Sequence, residues 1–399
     1  MKENKYIGIF IFSLMLAVTI LSCKKTPDTT APSNTFLKEF GNWPTPFNIN
    51  YITETNDKGY LFVGSANGLN PIMTRVNKYG NLIWSKSMSG DTFAENYVLP
   101  RSDGSFIINH HWRYQLSQID TNGNLLLSED FWPDPDNYFN MSPIIKGTNG
   151  YICSQSDGWS EGNIPSINRI LLFNNSLQFV DSIRFQDYAT LPGKTLTFNV
   201  YHEGSSNSYY IWGQKFSSRP FQWSDNVYLY AAKVVSHKGW NITIINGTDE
   251  TATYNAINNL VTSDTGLILL AQRIDYAKNT SSVFVASLDK NLKINWQNNF
   301  LESGATINPS RISPCSDGGY IISGGDSTGT NGSKPFALKI DQNGNQQWSK
   351  IYTFPGSGQF NSGIELTEGG YIFAGTTVSF GNGKSNQTLL LKTDANGNY

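Results

Sequence analysis

Apolar residues along this chain fall into short runs, and a turn rich in Gly, Asn or Asp closes nearly every run. The clearest stretch, Cys315 to Tyr352, reads CSDGGYIISGGDSTGTNGSKPFALKIDQNGNQQWSKIY. A Gly-containing turn leads into an apolar strand, a polar loop, a second apolar strand, an Asx-Gly turn and a third strand carrying Trp348. Asn-Gly pairs suit such hairpins because both residues tolerate positive φ. The same order returns at Asn56–Met88 (NDKGYLFVGSANGLNPIMTRVNKYGNLIWSKSM) and at Thr367–Tyr399 (TEGGYIFAGTTVSFGNGKSNQTLLLKTDANGNY). Short runs with frequent turns predict strands joined by hairpins, and their recurrence predicts a repeat architecture.

Two markers count the copies. A turn before an aromatic or apolar strand occurs at Lys58-Gly59-Tyr60, Asp103-Gly104-Ser105, Asn149-Gly150-Tyr151, Thr265-Gly266-Leu267, Gly318-Gly319-Tyr320 and Gly369-Gly370-Tyr371. The spacing is about fifty residues, a repeat-sized period, except for one double interval whose middle holds the strand-like Asn207–Gly213. The later turn occurs at Tyr79-Gly80-Asn81, Asn122-Gly123-Asn124, Asn174-Asn175-Ser176, His237-Lys238-Gly239, Asp289-Lys290-Asn291, Asn343-Gly344-Asn345 and Asn396-Gly397-Asn398. Both markers give seven units. Each reads as four antiparallel strands, A to D, for example A near Asn361–Thr367, B at Tyr371–Thr376 and C at Thr388–Thr393. These repeats resemble the blades of a β-propeller, which implies an all-β, seven-bladed β-propeller. The rival all-β reading, two or more sandwiches, does not require periodic turns at equivalent places.

The last unit stops after its C–D turn and lacks a strand D. Residues 35–41 (TFLKEFG) resemble the strand D segments beginning at Trp84 and Trp348, with Phe36 in the tryptophan's place. The N-terminal strand is therefore expected to close the last blade as its outer strand and to blunt two open edges. Within a blade, A–B and C–D turns share one face, while B–C loops and D–A links share the other. The longer B–C segments, Gly64–Pro71, Asp157–Ser166, Lys215–Val227 and Gly324–Lys334, make the second face the candidate binding face.

Composition adds exclusions. Charged residues are only 15% of the 399 and the formal net charge is -2, so no basic excess exists to offset phosphate repulsion and no nucleic-acid partner is expected. Cys153 and Cys315 fall in different repeats and are expected to be small packing residues rather than a disulfide pair. The N-terminus carries Lys2 and Lys5 ahead of the apolar run Ile7–Leu21, which is short for a bilayer span and placed as a signal-peptide core. With Cys23 after Ile20-Leu21-Ser22, it resembles a bacterial lipoprotein signal. The resemblance implies removal of residues 1–22, lipidation of Cys23, a flexible tether over 23–34 and a propeller over 35–399. An ordinary secretory signal and an uncleaved anchor are the alternatives.

Chemistry-bearing motifs are sparse. Asp120, Asp341 and Asp394 open Asx-rich turns with oxygens at alternate positions, as a calcium loop does. Position 12 of the first two holds Phe131 and Tyr352 rather than a carboxylate, so they read as hairpin turns and no metal is expected. The four histidines show no metal-ligand spacing, and nucleophile-elbow, zincin, phosphate-loop and dinucleotide motifs are missing; no cofactor is expected. The candidate ligand-binding residues are His111, Trp112 and Arg113 in blade 2, Trp159 in blade 3 and Trp223 in blade 4, all at B–C positions. Exposed aromatic faces beside amide and charged groups suit a glycan or extended peptide. Trp84, Trp296 and Trp348, and Tyr60, Tyr151, Tyr320 and Tyr371, recur at fixed positions and read as structural.

The repeat form GGYI-x-G…K-x-D-x-NGN-x-x-W resembles secreted or lipid-anchored bacterial β-propellers, with a composition similar to those of Bacteroidota. Blades 3 to 5 depart most from it, lacking the full ending. The resemblance implies a cell-envelope lipoprotein, on the outer membrane or cell surface, binding a protein or glycan as a scaffold and held to the membrane only by its lipid. The alternative is a secreted polysaccharide-active enzyme, a lyase or glycoside hydrolase, with its site at the central tunnel mouth.

Overall fold

The computed structural model describes residues 35–40, 47–66, 70–87, 96–110, 115–131, 139–157, 168–185, 195–202, 208–216, 227–235, 239–245, 252–263, 266–301, 306–328, 332–354, 356–378 and 387–399. Every regular element among them is a β-strand. The strands form seven antiparallel sheets arranged in a ring, a seven-bladed β-propeller. Blade 1 runs Phe47–Glu54, Tyr60–Ala66, Asn70–Val76, Leu82–Ser87; blade 2 runs Asn96–Pro100, Phe106–His110, Gln115–Ile119, Leu125–Asp130. Blade 6 runs Ile307–Pro314, Tyr320–Asp326, Lys334–Ile340, Gln346–Ile351. In blade 3 the inner strand is split into Phe139–Met141 and Ile145–Gly147, both pairing with Gly150–Asp157. First strands of neighbouring blades touch one another, so they line the axis.

Phe36–Phe40 closes the ring. It pairs antiparallel with Gln387–Thr393, from Phe36 opposite Lys392 to Phe40 opposite Thr388, outside Tyr371–Val378 and Ser357–Glu365. The first and last described strands thereby share one sheet.

The recurring tryptophans clasp neighbouring blades. Trp84 of blade 1 rests on Gly123 in the C–D turn of blade 2, where an added Cβ would lie 2.7 Å from the ring. Trp296 covers Gly344 and Trp348 covers Gly397 in the same way, and Phe36 covers Gly80. Two residues on, Lys38 and Lys86 reach Asn81 and Asn124 of the same turns at 3.3 and 3.0 Å, and Lys350 reaches Asn398. The glycines sit at φ between 72° and 80°, so the turn conformation and the close aromatic contact both call for the missing side chain. Blades 3 and 5 solve the same problem differently. Leu177 and Leu292 occupy the glycine position at φ 65° and are buried. Leu177 packs in a cluster with Leu127, which stands where Trp84 stands one blade earlier. A smaller residue above is matched by a larger one below.

Inside a blade, a buried cation ties the two turns of one face together. Arg75, Lys339 and Lys392 are almost wholly enclosed and pair with Asp57, Asp317 and Glu368 of the A–B turns. Blade 2 uses neutral Gln118, which donates to Ser105 at 2.9 Å. In the C–D turns, Asp120, Asp341 and Asp394 accept backbone N–H groups two and four residues on, at 2.7–2.9 Å. That is the Asx bonding of a tight turn.

The structure refines two expectations. In blade 2, Phe106 opposes Ile119 as Tyr60 opposes Val76, and Gly104 matches Lys58, Gly318 and Gly369 in positive φ. The marker there is shifted by one residue, because Ser105 replaces the second glycine. The B–C segments are also shorter than the sequence reads: strands continue to Ala66, Phe216 and Asp326 and resume at Asn70, Val227 and Lys334. Cys153 and Cys315 are free and buried.

Candidate binding cleft

Five sequence candidates, His111, Trp112, Arg113, Trp159 and Trp223, lie outside the described residues, as does Cys23. The described cleft opens instead on the opposite face, among the tight turns, where blade 1 meets blade 2. It encloses about 330 Å³. Blade 1 contributes the A–B turn residues Asn56 and Asp57, Arg75 beneath them, and Ile83 and Trp84 from its outer strand. Blade 2 contributes Pro100, Arg101 and Gly104 from its A–B turn, Phe106 on the floor, and Thr121 and Asn122 from its C–D turn.

Trp84 forms the aromatic wall. Its Nε1 donates to the Thr121 carbonyl at 3.2 Å, which fixes the ring's orientation, and Lys86 sits 5.6 Å from the ring centroid. Ile83 beside it is 53% exposed, a large apolar side chain left open to a ligand. Arg75 donates to Val76 O at 2.7 Å and pairs with Asp57. Partial burial alone would raise the Asp57 pKa, but hydrogen bonds from Thr55 and Arg75, with the arginine's charge, hold it below the ordinary carboxylate range. Arg101 spans Asp103 at 3.4 Å and Gln118 at 3.3 Å. Ser105 donates to Asp103 at 2.6 Å and is the main reason this carboxyl also stays low. The cleft therefore offers the Arg101 guanidinium, a fixed indole and exposed amides, over a buried Arg75 already engaged by Asp57, with its acids ionised at neutral pH.

Comparison of the seams shows why the cleft exists. The last residue of strand A reaches back to the A–B turn of the preceding blade. Glu54 accepts the Thr367 N–H at 3.0 Å and the Thr367 hydroxyl at 2.9 Å; Glu365 accepts the Ser316 N–H at 2.5 Å. His202 stands 3.4 Å from the Thr148 hydroxyl in the same manner. In blade 2 the equivalent residue, opposite Phe106 as Glu54 is opposite Tyr60, is Pro100; blade 6 likewise has a proline there, Pro314 opposite Tyr320, but residues 264–265 of the turn before it lie outside the described residues. A proline side chain accepts no hydrogen bond, and the space a glutamate fills elsewhere stays open. In the sequence the signal is no more than a proline, at a position defined only by pairing across a seam.

Nearer the axis, Arg311 of blade 6 lies over the Tyr51 ring of blade 1, 4.0 Å from its centroid. The pair joins inner strands of two blades that are not neighbours. Of the histidines, His110 is buried with Nε2 3.0 Å from Ser117 Oγ, and His202 stacks on Tyr209 at 4.6 Å. No cluster of three His, Cys, Asp or Glu side chains arranged to hold a metal occurs among the described residues, and no helix among them is long and apolar enough to cross a membrane.

No protein family matches the chain, and no curated protein matches it in sequence. Solved structures are similar in fold. A polysaccharide lyase has a TM-score of 0.52 at 10% identity, over 89% of this chain and 91% of its own. A catalytically inactive virginiamycin B lyase from Staphylococcus aureus, crystallised with quinupristin, has a TM-score of 0.50 at 10% identity, over 90% and 99%. A protein of unknown function from Dyadobacter fermentans has a TM-score of 0.48 at 8% identity, over 89% and 99%. At these identities the likeness is one of fold.

Proposed function

We propose that this chain is a bacterial cell-envelope β-propeller, tethered through a lipid on Cys23, that binds a glycan or protein ligand and works as a scaffold rather than a catalyst. The observation that carries the reading is the cleft at the blade 1–blade 2 seam, where an indole wall faces fixed polar groups. Its Asp57 is engaged by Arg75 and kept ionised, which suits recognition better than proton transfer near neutral pH. A cleft of about 330 Å³ is at the small end of ligand sites, enough for a ring or two. Glycan arrays and calorimetry on the full chain test the reading. Binding weakened at least tenfold by Trp84→Ala, in a variant with an unchanged circular dichroism spectrum, supports it; no ligand on either face sinks it. Cys23→Ser is expected to move the protein from the membrane to the soluble fraction.

A polysaccharide-active enzyme working at the tunnel mouth is the second reading. It is favoured by the Arg311–Tyr51 pair beside the axis and by the fold likeness to a polysaccharide lyase. New chain ends released from a polysaccharide by the full chain, and lost in Tyr51→Phe, would replace the binding proposal.

A further inference from the structure

Resting on that binding reading, we infer that the cleft between blades 1 and 2 takes a carboxylate-bearing sugar, a uronic acid unit of a glycan, whose carboxylate occupies the place left by Pro100. The protein itself shows what that place is built to hold. At the seam between blades 7 and 1 a glutamate carboxylate sits against the turn N–H of Thr367, and between blades 6 and 7 another sits against that of Ser316. The matching group between blades 1 and 2 is the N–H of Asn56, which has no partner among the described residues. It lines the cleft. An open backbone donor at a mouth also lined by Arg101 is an anion site missing only its anion.

The acid already in the turn does not forbid a second carboxylate. Ser316 receives Glu365 although Asp317 is its immediate neighbour, because Lys339 pairs with Asp317 at 2.8 Å. Arg75 does the same for Asp57 in blade 1, and Arg101, paired with Asp103 at 3.4 Å, brings a second guanidinium to the cleft mouth. The rest of the cleft selects a sugar over an acidic peptide. Trp84 and Ile83 supply an apolar wall for the face of a ring, and Asn56 and Asn122 supply exposed amides for hydroxyl groups. The volume accommodates a ring rather than a length of backbone.

The test places the missing group back. Pro100→Glu supplies the chain's own carboxylate to Asn56, so the variant should compete with ligand while strengthening the seam. Calorimetry on the full chain would use trigalacturonate, the neutral galactose trimer and poly-L-glutamate. The expected result is binding of trigalacturonate only, weakened at least tenfold by Arg101→Gln, weakened further by salt, and abolished in Pro100→Glu with an equal or higher melting temperature. Trigalacturonate binding that Pro100→Glu leaves unchanged overturns the placement. Binding of the neutral trimer as tightly as the acidic one, still dependent on Trp84, overturns the carboxylate while the glycan reading stands. Poly-L-glutamate binding without trigalacturonate binding, sensitive to Pro100→Glu, overturns the sugar. Failure of all three probes overturns this inference, whereas the broader binding reading falls only if the wider glycan array is also blank.

Discussion

The ring is closed by a five-residue strand, and one glycine tests whether it sits where the structure places it. Gly80 lies in the C–D turn of blade 1 at φ 73° under the Phe36 ring. A Cβ added there would meet Phe36 Cε2 at 2.7 Å, Cζ at 2.9 Å and Lys38 Cγ at 3.1 Å. Carbon atoms rest at about 3.5–4.0 Å, so the ring must move by close to 1 Å. Gly80→Ala thus combines a left-handed backbone cost of about 1–2 kcal/mol with overpacking of about 1–3 kcal/mol. In a Phe36→Ala background the ring is gone, and the backbone part and the lesser contact with the flexible Lys38 side chain remain. A double-mutant cycle from urea unfolding of the full chain should therefore show a coupling of about 1–3 kcal/mol, with Gly80→Ala milder in the second background. Equal destabilisation in both backgrounds, within about 0.5 kcal/mol, would mean that Phe36 does not cover Gly80 and that the N-terminal strand does not close blade 7 in this register.

Other outcomes follow from single contacts. Hydrogen bonding to Lys339 and Gly319 outweighs the burial that would raise the Asp317 pKa, and holds it low in the folded state. Its stabilising share is complete above the unfolded value of about 3.9 and is lost as pH falls through the lower folded value. Asp317→Asn should reduce stability at neutral pH and flatten the acid limb of a stability-versus-pH curve; an unchanged limb would refute the pairing. Leu177→Gly relieves about 1 kcal/mol of left-handed strain but removes a fully buried side chain worth about 2–4 kcal/mol, so unfolding should show a net loss of about 1–3 kcal/mol. A stabilised variant would show that the leucine does not fill the seam. Burial pushes the Cys315 thiol up to about 12 and the Cys153 thiol higher still. Iodoacetamide should leave both unmodified in the folded protein and alkylate both in urea, read by mass spectrometry; rapid labelling of either in the native state would contradict the packing described.

Much of the architecture was legible because it is local and repeated. The Asp341-Gln342-Asn343-Gly344-Asn345 turn announces itself through residues that bond to their own backbone, and Phe36 stands in a segment that reads like those at Trp84 and Trp348. Where a unit departs from the pattern, the reading slipped. Ser105 in place of a second glycine moved the blade 2 marker by one residue, and the Asx turns of blades 3 and 5 were found although their left-handed residue is leucine. The cleft was not legible. Pro100 ends an ordinary strand, and Trp84 reads as one more structural tryptophan, which it also is.

The sequence by itself determined the strands, the number of blades and the closing strand, because hairpin turns and short apolar runs act over a few residues and recur. It also marked which tryptophans repeat. Only the tertiary structure decided what lies opposite what across a seam: Trp84 over Gly123, Leu127 with Leu177, Glu54 on Thr367, and, among the described residues, no acceptor on the Asn56 N–H. Those partners are dozens to hundreds of residues apart, and the angle at which one blade meets the next sets them. A glutamate or a proline at the end of strand A leaves the blade it belongs to intact; its effect is felt only by the turn of the blade before it.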